Sequence, residues 1–304
     1  MILIKFPTNT TPILFYSNNC RQDLKEIVCI SLKKAKKSIY LSTYGLSDPH
    51  ILSILEKKVK KGLAITITCH PREISSLQKH LGNGIEIIPF TGSGLAHEKI
   101  TIIDGQLIWL GSTNLTETSL SVHDNLLIGI FSEILGKNLV ARTPGEFHDL
   151  SIKDQKIELH FLPERNSLAL NRILSILNAA KKEIQIALFT FTHPKIELAL
   201  SRAKKRGVKV TIIMDQYLAK GCCKKMVTHL KESECIVRTS NRCKLMHHKW
   251  ARIDNNIFIT GSANWTKSAF EKNRDYLLIL TPIDKTQNNF LDNLWINLYR
   301  HSTV

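Results

Sequence analysis

The stretch His247-His248-Lys249-Trp250-Ala251-Arg252-Ile253-Asp254, followed after six residues by Gly261-Ser262-Ala263-Asn264, has a counterpart earlier in the chain. That counterpart is His97-Glu98-Lys99-Ile100-Thr101-Ile102-Ile103-Asp104, followed after six residues by Gly111-Ser112-Thr113-Asn114. The His, Lys, Asp, Gly, Ser and Asn of both blocks recur at an offset of 150 without a gap. A chain of 304 residues built this way is two halves of one design, each about 150 residues long. The segments before the motifs repeat as well. Ala180-Lys181-Lys182-Glu183-Ile184 matches Ala35-Lys36-Lys37-Ser38-Ile39, Thr192-His193-Pro194 matches Ser47-Asp48-Pro49, and Gly207-Val208-Lys209-Val210 matches Gly62-Leu63-Ala64-Ile65. Here the offset is 145, so about five residues are inserted in the second half, around Tyr217 to Cys223.

Local patterning fills in the elements. Pro12 to Tyr16 reads as a strand, and Arg21 to Lys37 as an amphipathic helix burying Leu24, Ile27, Val28, Ile30 and Leu32. Ser38 to Tyr44 alternates into a second strand. Asp48-Pro49 then supplies an N-cap and a first-turn proline for a helix that Gly62 ends, and Leu63 to Thr68 is a third strand. Ile157 to Phe161 opens the second half with the match to the first strand, and Asp284 to Tyr299 forms a closing helix whose Phe290, Leu291, Leu294, Trp295 and Leu298 share a core face. Strands alternating with helices indicate an α/β fold of two similar lobes, each a mixed, mostly parallel sheet flanked by helices. The lobes are expected at 1–140 and 156–304. Gly136 to Gln155, with Pro144-Gly145 and little periodicity, reads as the joining region, and 141–155 as the linker.

The motif has a chemical logic. On a strand His97, Lys99 and Thr101 share one face, and Glu98, Ile100 and Ile102 the other. An imidazole beside an ammonium, with Ser112 and Asn114 (or Ser262 and Asn264) arriving from the next turn, can surround a tetrahedral phosphate with donors. Neither Lys nor Asn suits a metal, so Lys99 and Lys249 supply the positive charge, and no metal or other cofactor is expected. Two such blocks provide two imidazoles, one able to attack phosphorus and one able to protonate the leaving oxygen. Asp104 and Asp254 fall on the opposite strand face and read as anchors of the strand end. His248 points away from its motif neighbours and reads as packed, as does Trp265 against the helix it begins. His70 and His193 follow strand ends, where ligands gather in open α/β sheets.

His-x-Lys-x4-Asp-x6-Gly-Ser-x-Asn, present twice, resembles the signature of the phospholipase D superfamily, and the repeat that carries it covers nearly the whole chain. The resemblance implies one active site on a pseudo-twofold axis, formed within one chain, and a covalent phosphohistidine made without a metal. Relatives place an acidic residue after each motif to orient the imidazole. Asp275, eleven past Asn264, fits that role, whereas the register-matched residue of the first half is Asn125, with Asp124 one position off and His123 beside it. In relatives the first histidine is generally the nucleophile, which would make His97 attack and His247 donate its proton, Asp275 raising the pKa of the second imidazole. The residues themselves leave the direction of this asymmetry open.

Lys and Arg outnumber Asp and Glu by 42 to 26, a net charge of +16, which implies a polyanionic partner such as nucleic acid or an anionic membrane surface. Seven Cys without a spaced framework, two of them adjacent at Cys222-Cys223, read as reduced thiols. No apolar run is long enough to span a bilayer, and Met1-Ile2-Leu3-Ile4-Lys5-Phe6-Pro7 lacks the pattern of a cleaved leader. These features predict a soluble, cytoplasmic protein, with leaderless secretion also compatible. Three functions fit: a phospholipase D releasing a phospholipid head group, an endonuclease cleaving DNA or RNA, and a polyanion-binding module without turnover.

Overall fold

The computed structural model describes residues 4–143, 145–164 and 166–304. Met1 to Leu3 of the expected leaderless start and Pro144 of the expected linker lie outside the described residues. The chain divides into two units, Met1–Arg142 and Thr143–Val304.

The first unit runs β1 (Ile13–Ser17), α1 (Leu24–Lys34), β2 (Ser38–Thr43), α2 (Pro49–Lys60), β3 (Ala64–Cys69), α3 (Ile74–Leu81), β4 (Glu86–Pro89), β5 (Lys99–Ile103), β6 (Leu107–Gly111), α4 (Glu117–Ser121), β7 (Leu126–Phe131) and α5 (Glu133–Ala141). Side-chain caps fix the helix starts. Asp23 accepts from the Glu26 N–H ahead of α1, and Asp48 accepts from His50 and Ile51 ahead of α2. Gly62, at φ 76°, takes the left-handed conformation that follows the end of α2. The sheet order is β1-β7-β6-β5-β2-β3-β4. Leu24, Ile27, Val28 and Leu32 of α1 pack with Ile51, Ile54 and Leu55 of α2 over the inner face of β2 and β3.

The second unit repeats the plan with β8 (Phe147–Ile152), β9 (Gln155–Leu162), α6 (Leu168–Ala179), β10 (Glu183–Leu188), α7 (Pro194–Lys205), β11 (Lys209–Met214), α8 (Gln216–Lys220), α9 (Lys224–Glu232), β12 (Ile236–Ser240), β13 (Lys249–Ile253), β14 (Ile257–Gly261), α10 (Lys267–Glu271), β15 (Asp275–Thr281), α11 (Lys285–Arg300) and β16 (Ser302–Thr303). Its sheet order is β16-β12-β11-β10-β13-β14-β15-β9-β8, the seven-strand order of the first unit with one strand added at each edge. Met214 and Ile236 stand 22 positions apart where Cys69 and Glu86 stand 17 apart, so the inserted five residues fall between β11 and β12, where α8 is the extra helix. The closing helix α11 starts at an Asp284–Gln287 capping box and buries Leu291, Leu294, Trp295 and Leu298, as expected.

Two expectations are corrected. The α/β class with two similar lobes holds, but the sheets are not mostly parallel: among the described strands β2–β3, β3–β4, β10–β11 and β11–β12 pair parallel and the other neighbours antiparallel. A helical crossover joins each of these pairs. The motif strand instead returns through a tight turn, which gives an antiparallel neighbour. Nor is 141–155 a structureless linker. It contains β8, which pairs antiparallel with β9 from Phe147↔His160 to Ile152↔Gln155. As an edge strand β8 buries little, so its sequence carries no alternating apolar signal. Among the described residues no helix is long and apolar enough to cross a membrane.

Candidate active site

β5 runs antiparallel to β2 with Thr43 opposite Lys99, so the residues just before β5 meet the residue just past β2. His97 thus lies edge-to-face against Tyr44, ring centres 5.4 Å apart at 67°. In the second lobe Leu188 stands opposite Lys249, and His247 lies against Phe189 at 4.7 Å and 61°. Topology alone therefore sets each motif histidine on an aromatic ring at the end of its sheet.

The lysines are more deeply placed than surface cations. Lys99 is 4% exposed and Lys249 2%, while His97 and His247 are 7% and 8% exposed. Each ammonium is held by its neighbours: Lys99 Nζ donates to the His97 carbonyl at 2.7 Å, and Lys249 Nζ approaches the His247 carbonyl at 3.3 Å and His247 Nε2 at 3.1 Å. Lysine has donors only, so in that contact Nε2 accepts and the ring proton sits on Nδ1. The ammoniums lie 5.6 Å from the Tyr44 ring centre and 5.2 Å from that of Phe189.

The Gly-Ser pair is a backbone device. At Gly111 (φ 131°) and Gly261 (φ 152°) an added Cβ would stand 2.3 Å from the carbonyl oxygen of Leu126 or Tyr276, so only glycine lets the strands approach. The hydroxyl of Ser112 then accepts from the Leu126 N–H at 3.1 Å and donates to Asn125 Oδ1 at 2.8 Å. Ser262 accepts from the Tyr276 N–H at 3.1 Å and donates to Asp275 Oδ1 at 2.6 Å. A hydroxyl has one proton, and each serine gives its own to a buried side chain inside its lobe. The expectation that Ser112 and Ser262 face a phosphate is corrected: they fix the turn that carries the asparagine. Asn114 and Asn264 are half-buried, and the Oδ1 of each has no hydrogen-bond partner among the described residues. That the same amide is left open in both copies favours a ligand there, since rotation of the amide can present N–H instead of oxygen.

Asp104 and Asp254 sit at the far end of the motif strand, both at positive φ, as first central residue of the turn closed by Gln106 N–H to Ile103 C=O or by Asn256 N–H to Ile253 C=O. Asp104 accepts from the backbone N–H of Lys36, Lys37 and Ser38, and Asp254 from Lys181, Lys182 and Glu183. Burial pushes their pKa values up, but these backbone donors outweigh it and hold both carboxyls below the usual carboxylate range. They anchor the strand end, as their register suggested.

Asp275 is fully buried, with Ser262 on one carboxylate oxygen, and Asn125 occupies the same place in the first lobe, donating to the Ser119 carbonyl at 2.7 Å. Asp124, one position off, is buried as well. His248 is fully buried against Trp250, and Trp265 packs on Phe191, both as expected. His193 is a core residue against Phe270, its pKa lowered by burial, and His70 caps the turn before α3 by accepting from the Arg72 N–H at 3.3 Å. Tyr44, Phe189 and Arg72 were missed. The offset of 145 pairs Tyr44 with Phe189 and was a usable signal; nothing local marked Arg72.

Two α/β lobes, each setting a buried histidine-lysine pair at one end of its sheet, define a duplicated His-Lys-Asp protein. The chain belongs to the phospholipase D superfamily: the family model described as cardiolipin synthase, PLD-like domain, matches residues 28–149 and again 173–295. It is similar to the mitochondrial cardiolipin hydrolase of Mus musculus, 36% identical over 120 residues, which are 39% of this chain and 53% of that protein. It is also similar to the mitochondrial cardiolipin hydrolase of Xenopus laevis, 34% identical over 137 residues, which are 44% of this chain and 64% of that protein. The chain thus spans about half to two thirds of the length of these relatives. In fold it resembles phosphatidylserine synthase of Haemophilus influenzae Rd KW20, with a TM-score of 0.78 over 99% of this chain and 88% of that one at 13% identity. The expected cytoplasmic location is overturned, because these two relatives are named as mitochondrial proteins. Free thiols report a reducing environment and not an address.

Proposed function

We propose that the chain is a metal-independent phosphodiester hydrolase of phospholipase D type that releases the head group of a phospholipid through a phosphohistidine intermediate. The observation that carries this reading is the ammonium buried beside an imidazole in each lobe. An ammonium held beside an imidazole at the end of each motif strand places positive charge where it can meet the equatorial oxygens of a phosphate. Both histidines act on one phosphate. His97 attacks, its nitrogen bonding to phosphorus as the bond to the leaving oxygen breaks, and His247 gives that oxygen a proton. Water then attacks the phosphohistidine, the N–P bond breaks, and His247 takes the proton back. Lys249, now beside His247 Nε2, turns to the phosphate when substrate arrives, which frees Nε2 to carry the proton. Asn114 and Asn264 bind the remaining oxygens, and Asp275 supports the second imidazole. The relatives named cardiolipin hydrolases favour a lipid, and the net charge of +16 favours peripheral association with an anionic membrane.

The test is a side-by-side assay in excess EDTA of phosphatidylcholine, cardiolipin, single-stranded DNA and duplex DNA. Turnover of phospholipid alone is the expected result. Cleavage of nucleic acid alone makes the chain an endonuclease, tight binding without turnover makes it a binding module, and activity restored only by a divalent ion contradicts the metal-free chemistry.

A further inference from the structure

We propose that Arg72, held against Tyr44, anchors a second phosphate group of the substrate beside the one handled by His97 and Lys99. The identity of the molecule rests on the phospholipid reading above, whereas the subsite rests on geometry. Three basic side chains gather round the ring of Tyr44: the His97 imidazole at 5.4 Å, the Arg72 guanidinium at 5.5 Å and the Lys99 ammonium at 5.6 Å. An electron-rich ring face tolerates such crowding of positive charge, and a phosphate neutralises it.

Arg72 is placed by the fold. It follows β3, the parallel neighbour of β2, at the strand ends where α/β sheets bind ligands, and the His70 ring fixes its backbone N–H. Its Nε donates to Glu73 Oε1 at 3.0 Å in a solvent-exposed pair of the kind that contributes little. The guanidinium also hydrogen-bonds the Tyr44 side chain, and 55% of the Arg72 side chain is exposed, so the fork stays accessible to a phosphate. Tyr44 and Glu73 both keep the guanidinium charged.

The second lobe lacks this arm. Phe189 carries His247 and Lys249, but the chain after β11 enters the inserted helix α8, and there Asp215 accepts from the backbone of Tyr217, Leu218 and Met246. At this strand end Asp215 matches His70, and Tyr217 stands at the position of Arg72, so that position carries no guanidinium. The subsite therefore belongs to the first lobe, and the substrate chemistry that fits it is a lipid with two phosphates bridged by a short polyol, the non-scissile phosphate lying on Arg72.

The experiment measures calorimetric binding of glycerol 1,3-bisphosphate and glycerol 1-phosphate to the full chain, to Arg72→Gln and to Arg72→Lys, each checked for an unchanged melting temperature. The wild type is expected to bind the bisphosphate about tenfold more tightly, the difference of one charge-assisted contact. Arg72→Gln should remove that preference by weakening the bisphosphate, with less than about a twofold change for the monophosphate, and Arg72→Lys should keep part of it. Equal weakening of both ligands, or a preference that survives Arg72→Gln, overturns the subsite. A parallel comparison of kcat/KM on cardiolipin and phosphatidylglycerol tests the lipid reading: failure to hydrolyse either lipid removes the lipid, while the calorimetry still decides for or against Arg72.

Discussion

In the first lobe the motif serine gives its proton to an amide, Asn125; in the second it gives it to a carboxylate, Asp275. On the other face of the motif strand the contrast reverses. Glu98 forms a buried ion pair with Arg142 and accepts from Ser42 at 2.6 Å, whereas the matching residue is His248, buried against Trp250. What stays constant between the lobes is what fixes the backbone (the glycine, the serine and the turn aspartate) and what can meet a phosphate (the histidine, the lysine and the asparagine). What varies is buried charge. Two copies of one scaffold thereby give two chemically similar imidazoles different surroundings, which a reaction needs when one imidazole must attack and the other must donate a proton.

The largest expected effect comes from removing either imidazole. His97→Ala and His247→Ala should each lower steady-state turnover by on the order of a thousandfold or more, since residues acting as a unit fail together. With a p-nitrophenyl phosphodiester, whose leaving group needs no proton, His247→Ala should still accumulate a covalent adduct and His97→Ala none. Acid quench and peptide mass spectrometry locate it; phosphate on His247 of the wild type reverses the roles.

A smaller effect is expected from making the lobes alike. Asp275→Asn copies the Ser112–Asn125 pair, so the melting temperature should barely move while kcat falls by about a hundredfold, the scale of lost acid–base support. Full activity in that variant would reduce Asp275 to a partner of Ser262. The reverse change, Asn125→Asp, sets a carboxylate against the Ser119 carbonyl and should cost about 1–3 kcal/mol in chemical unfolding.

The smallest effect belongs to the turn aspartates. Asp104→Ala and Asp254→Ala should each destabilise by about 1–2 kcal/mol, nearly equally, through backbone N–H groups left without an acceptor. Their folded pKa values are lowered, so their contribution is present above the unfolded value of about 3.9 and is lost as the pH falls through the folded one. The gap between wild type and variant should therefore narrow on melting near pH 3, and clearly unequal losses at pH 7 would break the equivalence of the lobes.

Much of this was legible in the chain because it is written in local signals. Asp48-Pro49 and Gly62 mark both ends of α2, and the change of offset marks the insertion that holds α8. Other features depend on partners distant in sequence. β5 pairs antiparallel with β2 because the chain reverses between β4 and β5, β8 is a strand only because β9 offers it an edge, and Ser112 could be recognised as a backbone anchor only once Asn125 and Leu126 stood beside it. Arg72 reaches His97 only through the ring of Tyr44, a contact no spacing rule encodes.

The burial of Lys99 and Lys249 sorts the positive charge of this protein into two populations that dissolved ions treat differently. The surplus of +16 resides mostly on exposed side chains, whose reach into solvent shrinks to about 8 Å at physiological ionic strength. The two motif ammoniums, only 4% and 2% exposed, lie where mobile ions scarcely enter. On the proposed chemistry, ionic strength therefore acts as a dial on how often a polyanion arrives and leaves nearly untouched what happens to its phosphorus once it has.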